Sequence, residues 1–404
     1  MSSCPSISWR SKNLKKDLKS WSFCPASKIV ENKEVMNVNV NLKMNNRFSV
    51  SECVKLYKTA DLYQLARAAD YIRKKVHKDA PDTVAFVLDR NVTYTNICDC
   101  KCKFCAFFRL KKSPGSFVLT TDEILEKIEG LAKIGGSQIM LQGGLNPQLK
   151  LDFYIDLLKA VKCRFPSITL HSFSPPEIDH ISRVSNKSVD YVLKTLQQAG
   201  LDSLPGGGGE ILVDRVRGKV SPNKIGSRRW LQIMRAAHKI GMKSTATMVF
   251  GMGETLEERF ISMKKVRDLQ DETGGFRAFI PWPFSPANTK LADYEPTDGV
   301  DYLKTVACAR LLFDNIKNIH CGWVTEGMKL SQLALAFGAN DFGGILMEEK
   351  VVRATGVINE TNVRELYYTA KNAGYKLARR NTNYDKLELI DEKHRLVTGS
   401  SVVQ

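Results

Sequence analysis

From Ser49 onward the chain alternates between two hydrophobic rhythms. The stretch SVSECVKLYKTADLYQLARAADYIRKKVH places apolar side chains at intervals of three and four residues, which predicts two amphipathic helices. Short apolar runs follow at TVAFVLDRN (83–91), SQIMLQGG (137–144), ITLHSFS (168–174), KSTATMVFG (243–251) and RAFIPWPF (277–284), and these read as strands. Between them lie helical patterns at 120–136, 151–165, 185–199, 227–240 and 255–272, the first opening on a capping Thr and closing on Gly135-Gly136. Strands alternating with helices of this length predict parallel βαβ units in a core over 83–297, with the N-terminal helices at 48–82. The alternation alone fits a barrel or an open doubly wound sheet; motifs collected at the C-terminal ends of the strands favour the barrel. From 298 to 404 the pattern is mainly helical, with LKTVACARLLFDNI, MKLSQLALAFGA and VRELYYTAKNAGYKLARR as amphipathic helices packing on the core. Residues 1–47 are polar and basic without a sustained period and read as a poorly ordered extension, in which Met36 and Met44 are candidate alternative translation starts.

With 404 residues, 43% hydrophobic and 25% charged, the chain has the composition of a globular protein. No run approaches the roughly 18–20 apolar residues that span a bilayer, and the N-terminus lacks a signal-peptide core, so a soluble, cytoplasmic protein with no membrane partner is expected. Ten cysteines at irregular spacing, four of them within residues 98–105, do not resemble a secreted disulfide framework. The net charge of +17 is carried by dispersed pairs such as Lys74-Lys75, Arg228-Arg229 and Lys264-Lys265, with no basic run interleaved with aromatics. Solvated helix faces, and not a nucleic-acid groove, account for it, while the positive potential favours an anionic small substrate.

The chemistry concentrates in TNICDCKCKFCAFFR, where Cys98, Cys102 and Cys105 are spaced Cys-x3-Cys-x2-Cys and Phe104 precedes the last thiol. A closed zinc site or an ordinary iron–sulfur cube takes four ligands, so three thiolates leave one metal position open to a small molecule. A zinc knuckle would need a second ligand pair, and Cys100 is read as a bystander thiol. Other motifs end the strands. Gln142-Gly143-Gly144 offers bare backbone to a ligand, and His171 to Glu177 form a polar cluster suited to hydrogen bonding or proton transfer. Gly206 to Gly209 run into Glu210, Asp214, Arg215 and Arg217, where an arginine is read either as a carboxylate clamp or as a solvent-facing charge. Phe279, Trp282 and Phe284 shape a site for an aromatic group or pack a core.

The cysteine loop with Phe104 resembles that of radical S-adenosylmethionine (SAM) enzymes. DRNVTYTNIC, CKFCAFFR, LQGGLNPQL, LHSFSPPEI, LDSLPGGGGEILVDRVRGKVSP, TATMVFGMGET, GGFRAFIPWPFSPANT and LALAFGANDFGG together, over roughly residues 49–395, resemble the cyclic dehypoxanthine futalosine synthases of menaquinone biosynthesis. Two departures are Gly209 where the family commonly has Ala and Ser285 where it has Gln. The resemblance implies an α/β fold, a partial (β/α)6 TIM-type barrel with helical additions at both ends. It implies a [4Fe-4S] cluster on Cys98, Cys102 and Cys105, and SAM contacts from Phe104, Phe107, Gln142, Gly143, Gly144 and Glu177. A 5′-deoxyadenosyl radical would abstract the ribose C4′ hydrogen of dehypoxanthine futalosine, and the carbon radical would add to the benzoate ring. His171, Glu177, Glu210 and Asp214 are then candidate proton acceptors, Arg215 and Arg217 candidate carboxylate anchors, and flavodoxin or ferredoxin the kind of electron donor required. Aminofutalosine synthase and the tyrosine-using half of deazaflavin synthase are the near alternatives, and a zinc or iron–sulfur nucleic-acid-binding protein the distant one.

Overall fold

Two helices, Val50–Thr59 and Leu62–Val76, open the described part of the chain, as their periodicity predicts. Each starts at a side chain that satisfies its first free amides: Ser49 and Glu52 form a reciprocal capping box, and Asp61 accepts from the amides of Tyr63 and Gln64. The second helix buries Leu65, Ala66 and Ala69 and packs against the helix Gly299–Leu312. The computed structural model describes residues 47–385 and 387–391, so the readings made for residues 1–46, Met36 and Met44 included, lie outside the described residues.

The strands are β1 (Thr83–Val87), β2 (Asp89–Val92), β3 (Gln138–Leu141), β4 (Thr169–Leu170), β5 (Ser203–Leu204), β6 (Lys243–Phe250), β7 (Phe276–Pro283), β8 (Asn318–Ile319), β9 (Asp341–Gly344), β10 (Lys376–Arg380) and β11 (Leu387–Leu389). Leu88 alone separates β1 from β2, so these are two halves of one strand. Hydrogen bonds order the strands β2-β3-β4, β5-β6-β7-β8 and β11-β10-β1-β9, and every pairing except β10–β11 is parallel. Single parallel bridges, His171 to Ser203 and His320 to Asp341, join the three groups. The six strand positions from β1/β2 to β7 form the expected partial TIM-type barrel. The parallel run then continues through β8 and β9 and returns to β1.

The structure departs from the sequence reading in three places. Of the predicted strand 168–174 only Thr169–Leu170 form a regular strand, and His171 to Phe173 continue with single backbone bonds to Ile139, Ser203 and Leu141, because Ser174 and Glu177 cap a helix, Pro175–Val184, that the sequence reading lacks. The predicted helix 185–199 begins at Val189, after the cap Ser188. The C-terminal region supplies the helices Gly299–Leu312, Trp323–Ala336 and Val363–Asn372, and also four short strands that the mainly helical pattern does not show. The amphipathic reading of 363–380 breaks at Gly374, whose φ of +83° sends the chain back along β1 as β10.

Candidate active site

The cysteine loop leaves β2 at the C-terminal end of the barrel strands and is tied down by backbone on both sides. The Cys98 amide donates to the Arg109 carbonyl (3.1 Å), the Asp99 amide to Leu145 (3.2 Å), the Lys103 amide to Val220 (2.8 Å) and the Cys105 amide to Cys102 (3.2 Å). Cys98, Cys100, Cys102 and Cys105 gather with Phe104 and Leu145 in one cluster, and all four thiols are free. A hydrogen bond from Cys100 and the charge of Lys224 hold the Cys102 thiol down at about 7, whereas burial raises Cys98 and Cys105. Lys224, which the sequence reading missed, is half-buried 4.8 Å from the Phe104 ring centre and donates to Glu210 Oε1 at 2.9 Å. Among the described residues no three His, Cys, Asp or Glu side chains converge on a single metal ion. In a [4Fe-4S] cluster each thiolate takes a different iron corner, so the ligand sulfurs need not converge on one metal ion.

Gly143 and Gly144 are glycines because the loop sits on them. A Cβ on Gly144 would lie 2.2 Å from the Ile97 carbonyl oxygen, and one on Gly143 would lie 2.5 Å from the Tyr94 ring. The missing side chains therefore admit the chain's own cysteine loop. Glu177, expected at a ribose diol or as a proton acceptor, is committed elsewhere. Its Oε1 accepts from the Tyr94 hydroxyl (2.7 Å) and the Gly143 amide (2.9 Å), and its Oε2 from the Ser174 amide (2.7 Å) and hydroxyl (2.6 Å). It is a positioning residue for the glycine turn.

The arginines after the glycine tract are engaged within the protein. Arg215 is exposed and pairs with Glu258 at 2.5 Å, which explains its raised pKa. Arg217 is buried and spends its donors on the carbonyls of Ile225 (2.5 Å) and Gly208 (3.0 Å), which fixes the turn. Neither lines the cavity beside the cysteine loop or the one inside the barrel. Asp214 accepts from the Ser227 amide (2.7 Å) and hydroxyl (3.0 Å) at the start of the helix Ser227–Lys239, so it caps that helix and is not placed to take a proton from a ligand.

Two cavities lie at and below the cysteine loop. One of about 220 Å³ opens at the cysteine loop, with Phe104, Cys105, Glu210 and Ser285 in its wall. The Glu210 Oε2 oxygen has no hydrogen-bond partner, and the charges of Lys224 and Arg217 lower the Glu210 pKa against the opposing effect of burial. A second cavity of about 140 Å³ lies inside the barrel, where Gln142 and His171 reach it. Gly207, Thr247 and Trp282 line both, so the two spaces meet. His171 holds the Ser203 hydroxyl at 2.8 Å, and burial pushes its pKa well below the ordinary value, so it is a neutral imidazole. Asp89, Arg277, His320, Arg380 and Tyr384 also line the inner cavity and were not singled out from the sequence. Burial raises Asp89 to about 6. A lone Arg in the apolar run RAFIPWPF was the one signal available. Phe107 lines neither cavity and stacks edge-on with Phe117 at 6.3 Å.

Three free thiols on the loop after the first strand of a parallel barrel, above a connected interior cavity, are the construction of a radical SAM enzyme, and residues 92–265 match that superfamily. The superfamily works with a [4Fe-4S] cluster and SAM, and the free thiols of this loop are of the kind that hold such a cluster. Residues 273–393 match the CofH/MqnC C-terminal region. The chain is 44% identical to the cyclic dehypoxanthine futalosine synthase of Halalkalibacterium halodurans, over 86% of this chain and 93% of that protein. It is 38% identical to the enzyme of the same name from Streptomyces coelicolor, over 86% and 87%. The chain belongs to the cyclic dehypoxanthine futalosine synthase family. A 5-amino-6-(D-ribitylamino)uracil–L-tyrosine 4-hydroxyphenyl transferase of Methanosarcina acetivorans is 39% identical over 83% of this chain and 90% of its own. Methylornithine synthase (PylB) shares the fold at a TM-score of 0.66 and 18% identity, covering 83% of this chain and 96% of that one. The hydrogenase maturase HydG does so at 0.67 and 17%, covering 88% and 78%.

Proposed function

We propose that the protein cyclises dehypoxanthine futalosine to cyclic dehypoxanthine futalosine in menaquinone biosynthesis. The observation that supports this best is the shared wall of Gly207, Thr247 and Trp282, which connects the space beside Cys105 to the barrel interior. A nucleoside carrying an aryl acid suits such a space, with its ribose below the cysteine loop and its ring deeper in the barrel. When bound, the cluster and SAM supply a 5′-deoxyadenosyl radical for hydrogen abstraction from the ribose. The chain's own contribution is geometric: Trp282 and Thr247 hold ribose and ring in a near-attack arrangement, and the enclosing strands exclude water from the radical. Restoring aromaticity releases a proton and an electron; the electron would return to the oxidised cluster, and of the four expected proton acceptors His171 and Glu210 line these two cavities. A small acidic electron carrier of the flavodoxin or ferredoxin kind serves as reductant, and the cytoplasm is the compartment that keeps the free thiols reduced.

The test is anaerobic incubation of the reconstituted protein with SAM, dithionite and dehypoxanthine futalosine. The expected result is 5′-deoxyadenosine with a product two hydrogens lighter than the substrate. No such product, but coupling of L-tyrosine to 5-amino-6-(D-ribitylamino)uracil, would move the protein to the transferase activity of its 39% identical relative.

A further inference from the structure

The inner cavity has an apolar wall and one charged end. Trp282, Trp323 and Phe342 line it, and its far end, toward the N-terminal ends of the strands, holds the Arg277 guanidinium, the second residue of β7. The other ionisable groups facing that end already have partners. Arg380 pairs with the buried Asp341, Nε to Oδ2 at 2.6 Å and Nη2 to Oδ1 at 3.2 Å. His320 Nε2 meets the Tyr384 hydroxyl at 2.5 Å, and Asp89 accepts from the Leu346 amide at 2.9 Å and from Gln138 at 3.2 Å. Arg277 differs. Among the described residues no carboxylate lies within ion-pair distance of it. Its Nη1 donates to Asn383 at 2.6 Å, its Nη2 has only a 3.5 Å contact with the His171 ring, and its Nε has no partner. Burial lowers its pKa to about 10, which leaves it charged at neutral pH. A half-buried guanidinium with no paired carboxylate, which Asp202 and Asp385 stabilise only from a distance, is held at a cost that a bound anion would offset, and its planar fork matches a carboxylate.

We propose that Arg277 receives the aryl carboxylate of the substrate at the closed end of the barrel, which points the opposite end of the molecule, the ribose, toward the cysteine loop. This replaces Arg215 and Arg217 as the anchor, and it rests on the substrate reading above. His171, held by Ser203 and beside Arg277, stands next to the ring and orients the guanidinium.

The experiment measures binding of two ligands to the anaerobically reconstituted enzyme: dehypoxanthine futalosine and its carboxamide analogue. Wild type should prefer the carboxylate by roughly ten- to a hundredfold, the range of a charge-assisted pair. Arg277→Gln should lose that preference while binding the carboxamide as wild type does, and Arg277→Lys should recover part of it. Iron content and circular dichroism of each variant establish that it is folded and loaded. Equal binding of both ligands by wild type, or equal loss of both in Arg277→Gln, overturns the anchor. If wild type binds neither ligand, the substrate reading fails first, and 3-substituted benzoates against their amides then test Arg277 by itself. Absence of any benzoate preference in that second comparison overturns the anchor as well.

Discussion

Glu177 carries four accepted hydrogen bonds on two oxygens, and each donor is buried against the turn that supports Cys98. Glu177→Gln replaces one acceptor oxygen by an amide donor facing other donors. Each unsatisfied buried group costs about 1–3 kcal/mol, so the variant should unfold at lower temperature and take up less iron on reconstitution. Unchanged Tm and iron content would show that the carboxylate does not hold the turn. The thiols give a sharper contrast. Alanine at Cys98, Cys102 or Cys105 should abolish the cluster and SAM cleavage, because each holds its own iron corner. Cys100→Ala should keep both, losing only the hydrogen bond that Cys100 gives Cys102. Iron analysis and electron paramagnetic resonance of the four variants decide the ligand set, and loss of the cluster only in Cys100→Ala would reverse it.

At the scale of elements, the turn after β3 and the helix Ser227–Lys239 make separate demands. Gly144→Ala would press a methyl group against the Ile97 carbonyl at 2.2 Å, and because the contact is backbone the cysteine loop must shift. The expected outcome is a folded protein by circular dichroism with a depleted cluster. His238 joins its helix to β6 and to the helix Leu256–Thr273: its ring nitrogens meet the hydroxyls of Ser244 and Thr273, both at 2.7 Å. Burial and the Lys243 charge lower its pKa to about 4. The unfolded chain therefore binds a proton below about 6.5 that the folded chain refuses until about 4, and stability from this group is lost as pH falls through that window. The stability of wild type relative to His238→Gln, from urea melts, should shrink between pH 6.5 and 4 and stay constant above 6.5. A constant difference throughout would mean that His238 is not held neutral.

For the whole molecule, closure of the strand run depends on residues far apart in sequence. Asp341 on β9 and Arg380 on β10 flank β1 and are fully buried together, and Arg380 lies 3.8 Å from the Tyr384 ring centre. Removing one partner strands a buried charge, so Arg380→Met should destabilise the protein by roughly 3–5 kcal/mol in urea unfolding. The double variant Arg380→Met with Asp341→Leu should recover part of the loss. If the double variant is no better than the single one, the cost lies in packing and not in the stranded charge.

Sequence by itself determined the βα alternation, the two N-terminal helices and the gathering of thiols in one loop. Those signals are local: a period of 3.6 residues, an apolar run, a spacing within one loop. Tertiary structure decided the rest. β4, β5 and β8 have two residues each, too few to leave a period, and they exist because neighbouring strands supply their hydrogen bonds. The roles of Arg215, Arg217 and Glu177 depended on which donors and acceptors folding brings beside them, and charge pattern carries no information on that. Arg277 is one arginine among many in the sequence. Only the closing of the barrel around it, with every nearby carboxylate already engaged, leaves its charge for a ligand.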